Sequence, residues 1–555
     1  MNIFSRSLIA ISICLLVFFN DSAFAAESQI KLVLQVTIDQ LRGDLPLRFK
    51  KRFSKGGFRY LMDNGAYYRN AFFEHADTET APGHATLVTG GYPMQHGIAN
   101  SEWWDYEKKK VVYSVEDSNY PMLGEGLLST SGTTTTEKGR APTNLLSTTI
   151  GDEISLASEG QSKVIAISGK DRGAIIPGGK LGKAYWLSQG QFTNSTFYNK
   201  DLPEWVKNWN DKKLANTYKG KSWDLLEPRQ NYKRKDQDNR EYEGYFLHLG
   251  KTMPKSFEAK NEKEFLQALG RTPVNDELVL DFSKHAIKEL KLGQQDETDY
   301  LSISFSSTDY VGHNWGVGSL EAEDNLLRVD RNLENLFQFV KENIALEKTL
   351  IILGADHGVG EVAEQLKELG INSKRIETKP FKLFLNSGLK KKFSIETDLV
   401  ASFVYPYAYL NLDEIENKKL NQSEVEAATA ALAMSYPGIT FTVTRSDILS
   451  GKLPANFGYY QKIRNTFHPK RSGHVHVVTD PFVMFGAVKT SEPGEHGSVW
   501  SYDSYVPVIF AGAGIKPGQY FRRIGPQDIA PTIAALLGIK PPSGSIGDPL
   551  LEVCQ

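Results

Sequence analysis

TLIILGADHG, residues 349–358, decides how the rest of the chain reads. The apolar run from Thr349 to Ala355 has the length of a strand, and it stops at a carboxylate and an imidazole, Asp356 and His357. A run without polar alternation marks a strand buried on both faces, the kind found in parallel sheets covered by helices. Similar runs occupy Leu32–Ile38, Lys163–Ser168, Tyr300–Ser306 and Val506–Ala511, and segments with helical spacing include Leu320–Ile344 and Asp528–Leu537. This order predicts an α/β fold: a doubly wound, mostly parallel sheet with helices on both faces. Ligands in such sheets gather beyond the carboxyl ends of the strands, and Asp39, Asp309 and Asp356 each follow one of these runs.

The remaining composition narrows the setting. With 555 residues, 40% of them hydrophobic, the chain can bury a large core. Its formal charge of −2 gives no basic field for nucleic acid. Arg6, the apolar stretch from Leu8 to Phe19 and the small residues Ala23 and Ala25 read as an export signal over 1–25, which predicts a periplasmic or secreted product. The stretch is shorter than a spanning helix requires, so no stable membrane anchor is expected. Of the two cysteines, Cys14 lies in the signal and Cys554 is left alone, so the mature chain forms no internal disulfide. Residues 26–555 read as one catalytic unit, with cap insertions near 185–290 and 365–480. The sequence carries no readable trace of oligomeric state.

Carboxylate and neutral imidazole are ligands for zinc and similar divalent ions, and strand ends can bring them together from distant parts of a chain. In Asp309-Tyr310-Val311-Gly312-His313, Gly312 would permit a turn that brings both end residues to one ion; taken alone, the segment is also an ordinary turn. Asp356 alone could equally cap a helix. Asp39 and His496, in a glycine-flanked turn, strengthen the metal reading. In DTETAPGHATLVTG, residues 77–90, Pro82 suits a first helical turn, so the Thr80 hydroxyl would stand at a helix N-terminus among free N–H donors. The alternative is that Thr80 or Thr78 is only an N-cap. Threonine is a weak nucleophile at neutral pH, so catalysis by Thr80 would require a metal to lower its pKa. His84 reads as support for that helix, and the His474 and His476 pair as part of a partly exposed strand.

These segments resemble the alkaline phosphatase superfamily, in its threonine-nucleophile branch of zinc phosphate monoesterases with a type I phosphodiesterase/nucleotide pyrophosphatase-like fold. The resemblance runs through Asp39, TAPGH at 80–84, HGIA at 96–99, KDRG at 170–173, SSTDYVGH at 306–313, ADHG at 355–358, EHGS at 495–498 and DIAPT at 528–532. It implies two zinc ions: one held by Asp309, His313 and His496, the other by Asp39, Asp356 and His357 with Thr80. No separate magnesium site is expected. Ions in such sites lie about 4 Å apart. Lys170 and Arg172, on one side of an extended segment, would bind the phosphoryl dianion, which favours monoesters over diesters. The branch's asparagine, two residues before an aromatic, falls at Ser101, with Asn100 one step earlier; either could donate to the phosphoryl group.

The implied function is an exported alkaline phosphatase acting on small-molecule phosphate esters through a phosphothreonine. The alternatives are a phosphodiesterase or nucleotide pyrophosphatase of the same superfamily, and an exported metal- or phosphate-binding protein without turnover.

Overall fold

The computed structural model describes residues 30–124, 139–452, 458–487 and 492–554, and the segment read as an export signal lies outside them. The nine strands of its central sheet are β1 (Leu32–Ile38), β2 (Ala66–Phe72), β3 (Val164–Ser168), β4 (Lys183–Ser188), β5 (Gln191–Thr193), β6 (Asp299–Phe305), β7 (Thr349–Gly354), β8 (Tyr505–Gly512) and β9 (Gly518–Tyr520). They are ordered β9-β2-β8-β7-β1-β6-β3-β4-β5. The block from β7 to β4 is parallel throughout. Every residue of β1, β6 and β7 is buried. Alternate side chains enter cores on opposite faces: Leu32, Leu34 and Val36 of β1 on one, Val33 on the other. Helices cover both, which is the α/β architecture expected.

Antiparallel pairings enter on both flanks, while the outermost pair β2–β9 is parallel. β8 runs opposite to both β7 and β2, so the Val506–Ala511 run lies in the sheet but outside its parallel block. Burial on both faces leaves the same apolar run whichever way a strand points, so the sequence does not reveal its direction. β2 has no such run because Arg69 and Asn70 interrupt it, and the register with β8 shifts between Tyr68 and Ala71. Such a bulge breaks the two-residue alternation that marks a strand.

β4 and β5, at the start of the stretch near 185–290, are the last two strands on one side of the central sheet, with β5 at its edge. The helix Val274–Glu289, at the end of that stretch, adds Val279, Phe282 and Ala286 to the main core. Residues near 365–480 contain a separate four-stranded sheet, in the order Val400–Val404, Tyr407–Leu410, Val475–Thr479 and Ile439–Thr444. Phe381, Leu385, Val425, Val475 and Val477 give it a core of its own. Among the described residues no helix is long and apolar enough to cross a membrane.

Candidate active site

Four neighbouring parallel strands, β7, β1, β6 and β3, end on the same edge of the sheet. Asp356 and His357 follow β7, and Asp39 follows β1. Asp309 and His313 lie on the helix Ser307–Trp315 after β6, and Lys170 caps the helix Asp171–Gly178 after β3. Two local readings need correction. Asp309 and His313 are brought together by the i, i+4 spacing of a helix, not by a turn at Gly312. Gly312 is required for another reason: a Cβ there would come within 1.9 Å of Gln40 Oε1. Likewise Lys170 is extended but Arg172 is already helical, so the two do not share one side of an extended segment.

Thr80 opens the buried helix Thr80–Thr89. Neither threonine caps it: the Thr78 hydroxyl donates to Ser498 O at 2.9 Å, and no side chain bonds the helix N-terminus. Thr80 Oγ1 instead accepts from Arg172 Nη2 at 3.3 Å. A Cβ on Gly83 would lie 1.9 Å from Asp356 O, so only glycine lets this helix approach the β7 loop so closely.

The ligand-type side chains form two groups, Asp39 with Asp356 and His357, and Asp309 with His357 and His496, each within 4.8 Å. His313 joins the second through its Nε2, 3.1 Å from Asp309 Oδ1, and His496 Nε2 is 3.6 Å from the same atom. The three imidazoles are oriented alike. His313 Nδ1 lies 2.6 Å from Gly494 O, His357 Nδ1 2.9 Å from Gly358 O, and His496 Nδ1 2.9 Å from Thr78 O. A carbonyl only accepts, so each Nδ1 carries the proton and each Nε2 is presented to the carboxylates, the arrangement of metal-ligating histidines. Buried Asp39 Oδ1, Asp356 Oδ2 and His357 Nε2 have no hydrogen-bond partner among the described residues. Buried polar atoms are rarely left so, and this donor set fits divalent cations.

The charges of the two groups are mutually dependent: burial, with His357 and His313 alongside, holds His496 well below the usual imidazole range, and burial with Asp39 alongside raises Asp356 to about 7. Burial disfavours charge on His357, but Asp356 and Asp39 beside it raise its pKa to about 9. Burial opposes His313 likewise, and Asp309 raises it to about 9. Burial also works against ionised Asp39 and Asp309; Lys170 together with neighbouring histidines nevertheless holds both below the usual carboxylate range. Lys170 Nζ sits 2.6 Å from Asp39 Oδ2 and 2.5 Å from Asp309 Oδ2.

A cavity of about 310 Å³ opens over Thr80, Arg172, Asp309, His313 and His496. Asn100 and Ser101 also line it. The Asn100 amide donates to Tyr405 O at 2.8 Å, across to the second sheet. Arg172 reaches the cavity, whereas Lys170 lies behind it between the two carboxylates. Several partners had no sequence signal. The Tyr113 hydroxyl accepts from Arg172 at 3.2 Å and donates to Asp171 at 2.6 Å, and Asp171 also pairs with buried Arg140 at 2.8 Å, so Asp171 orients Arg172 through Tyr113. The serines at 306 and 307 bond to Asp276, not to the metal-type carboxylates. His84 lies 3.3 Å from Ser304 Oγ and 3.6 Å from Asp356. His474 and His476 are buried, not exposed, and belong to neither ligand group.

The profile of the type I phosphodiesterase / nucleotide pyrophosphatase family matches residues 33–499. The chain belongs to this family, within the alkaline phosphatase superfamily. Among its relatives, a protein named calcium-transporting ATPase from Myroides odoratus is 34% identical, covering 97% of each chain. Alkaline phosphatase PhoV of Synechococcus elongatus is 34% identical over 95% of this chain and 93% of its own. Alkaline phosphatase PafA of Elizabethkingia meningoseptica is 32% identical over 94% of both. A crystal structure of PafA superposes with a TM-score of 0.85 at 30% identity, covering 95% of this chain and 99% of that one.

Proposed function

We propose that this member of the superfamily is an exported alkaline phosphatase, hydrolysing phosphate monoesters of small molecules through a phosphothreonine at Thr80 beside two zinc ions. One observation carries the reading: a hydroxyl at a helix N-terminus, in contact with a part-buried arginine, faces a cavity lined by Asp309, His313 and His496, and the group Asp39, Asp356 and His357 adjoins them through His357. Likeness to PhoV and PafA along nearly the whole chain supports monoester hydrolysis.

Asp309, His313 and His496 would hold one ion, and Asp39, Asp356 and His357 the other, with Thr80 as a further ligand. The ions supply positive charge that lowers the hydroxyl pKa and balances charge on the phosphoryl and leaving oxygens. The Thr80 oxygen, its proton lost, attacks phosphorus in line with the ester oxygen, and the bond to the alcohol breaks. Water then cleaves the phosphothreonine, restoring Thr80 and releasing inorganic phosphate. Arg172 offers a planar fork to two phosphoryl oxygens, Lys170 adds charge, and Asn100 or Ser101 donates a further bond.

The name of the Myroides relative fits the same chemistry, because the terminal phosphoryl of ATP is also a singly substituted dianion. The diesterase alternative is weaker: Arg172 beside Thr80 suits a group with more unshared charged oxygens than a diester has. The test is phosphate release from a monoester and a diester by the purified protein, with metal analysis and the Thr80→Ala variant. Zinc in both proteins, with preferential monoester turnover only in the parent, is expected. Full turnover by Thr80→Ala would refute the covalent route.

A further inference from the structure

Arg271 lies outside every motif discussed so far, yet it lines the active-site cavity. Its guanidinium carbon is 4.6 Å from the ring centre of Tyr310 and 4.7 Å from that of Phe246. The same Tyr310 ring also lies under Lys170, with Nζ 4.9 Å from the centroid, so Arg271 and Lys170 share one ring at the phosphoryl-binding centre. Its Nη1 is paired with Glu492 Oε1 at 2.6 Å. That partner is the more exposed of the two, 37% against 14% for Arg271, and an exposed carboxylate is the easier to exchange. Arg271 and Tyr310 also line a second cavity of about 220 Å³, with Gln189, Phe246 and Asn275. The Asn275 carbonyl oxygen is buried and has no hydrogen-bond partner among the described residues.

We propose that Arg271 is a specificity-determining residue forming an anion subsite for the leaving group. It favours monoesters whose departing portion carries its own phosphate or carboxylate, and the second cavity receives the remainder. The inference rests on the monoesterase reading above. An aromatic clamp fixes the plane of the guanidinium, so little ordering is needed when a planar or tetrahedral anion replaces Glu492. In ADP the terminal phosphoryl would meet Thr80 while the phosphate of the departing AMP meets Arg271; in AMP the departing adenosine offers no such charge.

The experiment compares kcat/KM for ADP against AMP, and for 3-phosphoglycerate against glycerol 3-phosphate, in the parent protein, Arg271→Ala and Glu492→Gln. Arg271→Ala should lower the preference for the anionic member of each pair about tenfold or more, the scale of one lost charge-assisted hydrogen bond. Glu492→Gln should raise it. A loss confined to ADP assigns the subsite to phosphate, and a loss in both pairs assigns it to anions generally. Equal losses for both members, or no change in either pair, would overturn the proposal. Dissociation constants of ADP and AMP on Thr80→Ala, with and without Arg271→Ala, give the same readout without turnover. If the parent releases no phosphate from AMP, the monoesterase reading fails, and the binding ratio still decides the role of Arg271.

Discussion

The central sheet and the second sheet use their histidines in opposite ways. On the carboxyl edge of the central sheet, His313, His357 and His496 each have Nδ1 held by a carbonyl and Nε2 turned toward aspartates. In the second sheet, His474 bonds the Tyr106 hydroxyl at 2.8 Å, and His476 has neither ring nitrogen partnered among the described residues. Burial lowers all of these rings; nearby carboxylates lift His313 and His357 to about 9, burial with His357 and His313 alongside keeps His496 well below the usual range, and His474 and His476 fall to about 4 and about 3. Residue type is shared, and His357 is as buried as His474 and His476, so the neighbouring aspartates set the candidate ligands apart from the packing rings.

Breaking the first set should have the largest effect. His357→Ala removes a ring that belongs to both ligand groups. We expect bound metal to fall and monoester turnover to drop by about a thousandfold or more, since each ion contributes several kcal/mol to stabilising transition-state charge. His474→Ala should leave the metal content unchanged. Metal analysis beside phosphate release checks both; equal metal loss in the two variants would erase the distinction drawn here.

A second test sharpens the comparison through pH. An ion at either group must displace an Nε2 proton from a ring whose pKa stands near 9. Below that pH, binding therefore releases protons, and affinity should climb by up to about tenfold per pH unit for each such histidine before levelling above pH 9. Calorimetry in buffers of differing ionisation enthalpy counts those protons. Release of none at pH 7 would mean that the rings are already neutral.

Much of this edge was legible because each strand that delivers a ligand is a plain apolar run ending in a charged or imidazole side chain. Asp39, Asp309 and Asp356 could be placed together before any coordinates, since the carboxyl ends of adjacent parallel strands share one side of a sheet. What stayed hidden depends on contacts between distant segments. Tyr113 lies on a hairpin, Asp276 on a helix and Arg140 on the two-residue strand Gly139–Arg140, and each acts by a hydrogen bond that no local spacing encodes. Arg271 is placed only by the two aromatic rings around it. The Asp309–His313 pair was found for the wrong local reason, because glycine suggested a turn where it serves to admit Gln40.

The smallest expected effect lies in the second sheet. His476 has a folded pKa of about 3 against 6.5 for the unperturbed ring, so the unfolded chain takes up the proton that the folded state refuses. Its share of stability is intact above about pH 6.5 and is lost progressively as pH falls from there toward 3, at up to about 1.4 kcal/mol per unit. His476→Phe should keep the edge-on ring contact with Tyr407, at 5.0 Å between centroids, while removing that proton. At pH 5 the variant should gain about 2 kcal/mol relative to the parent, compared with their difference at pH 8, as read from denaturant midpoints at constant m. Buried His75 is depressed in the same direction and keeps the overall acid lability in place, so only the increment due to position 476 should vanish. Parallel pH profiles for the two proteins would show that His476 stays charged in the fold, and that a carboxylate is not needed to hold a proton on a buried ring.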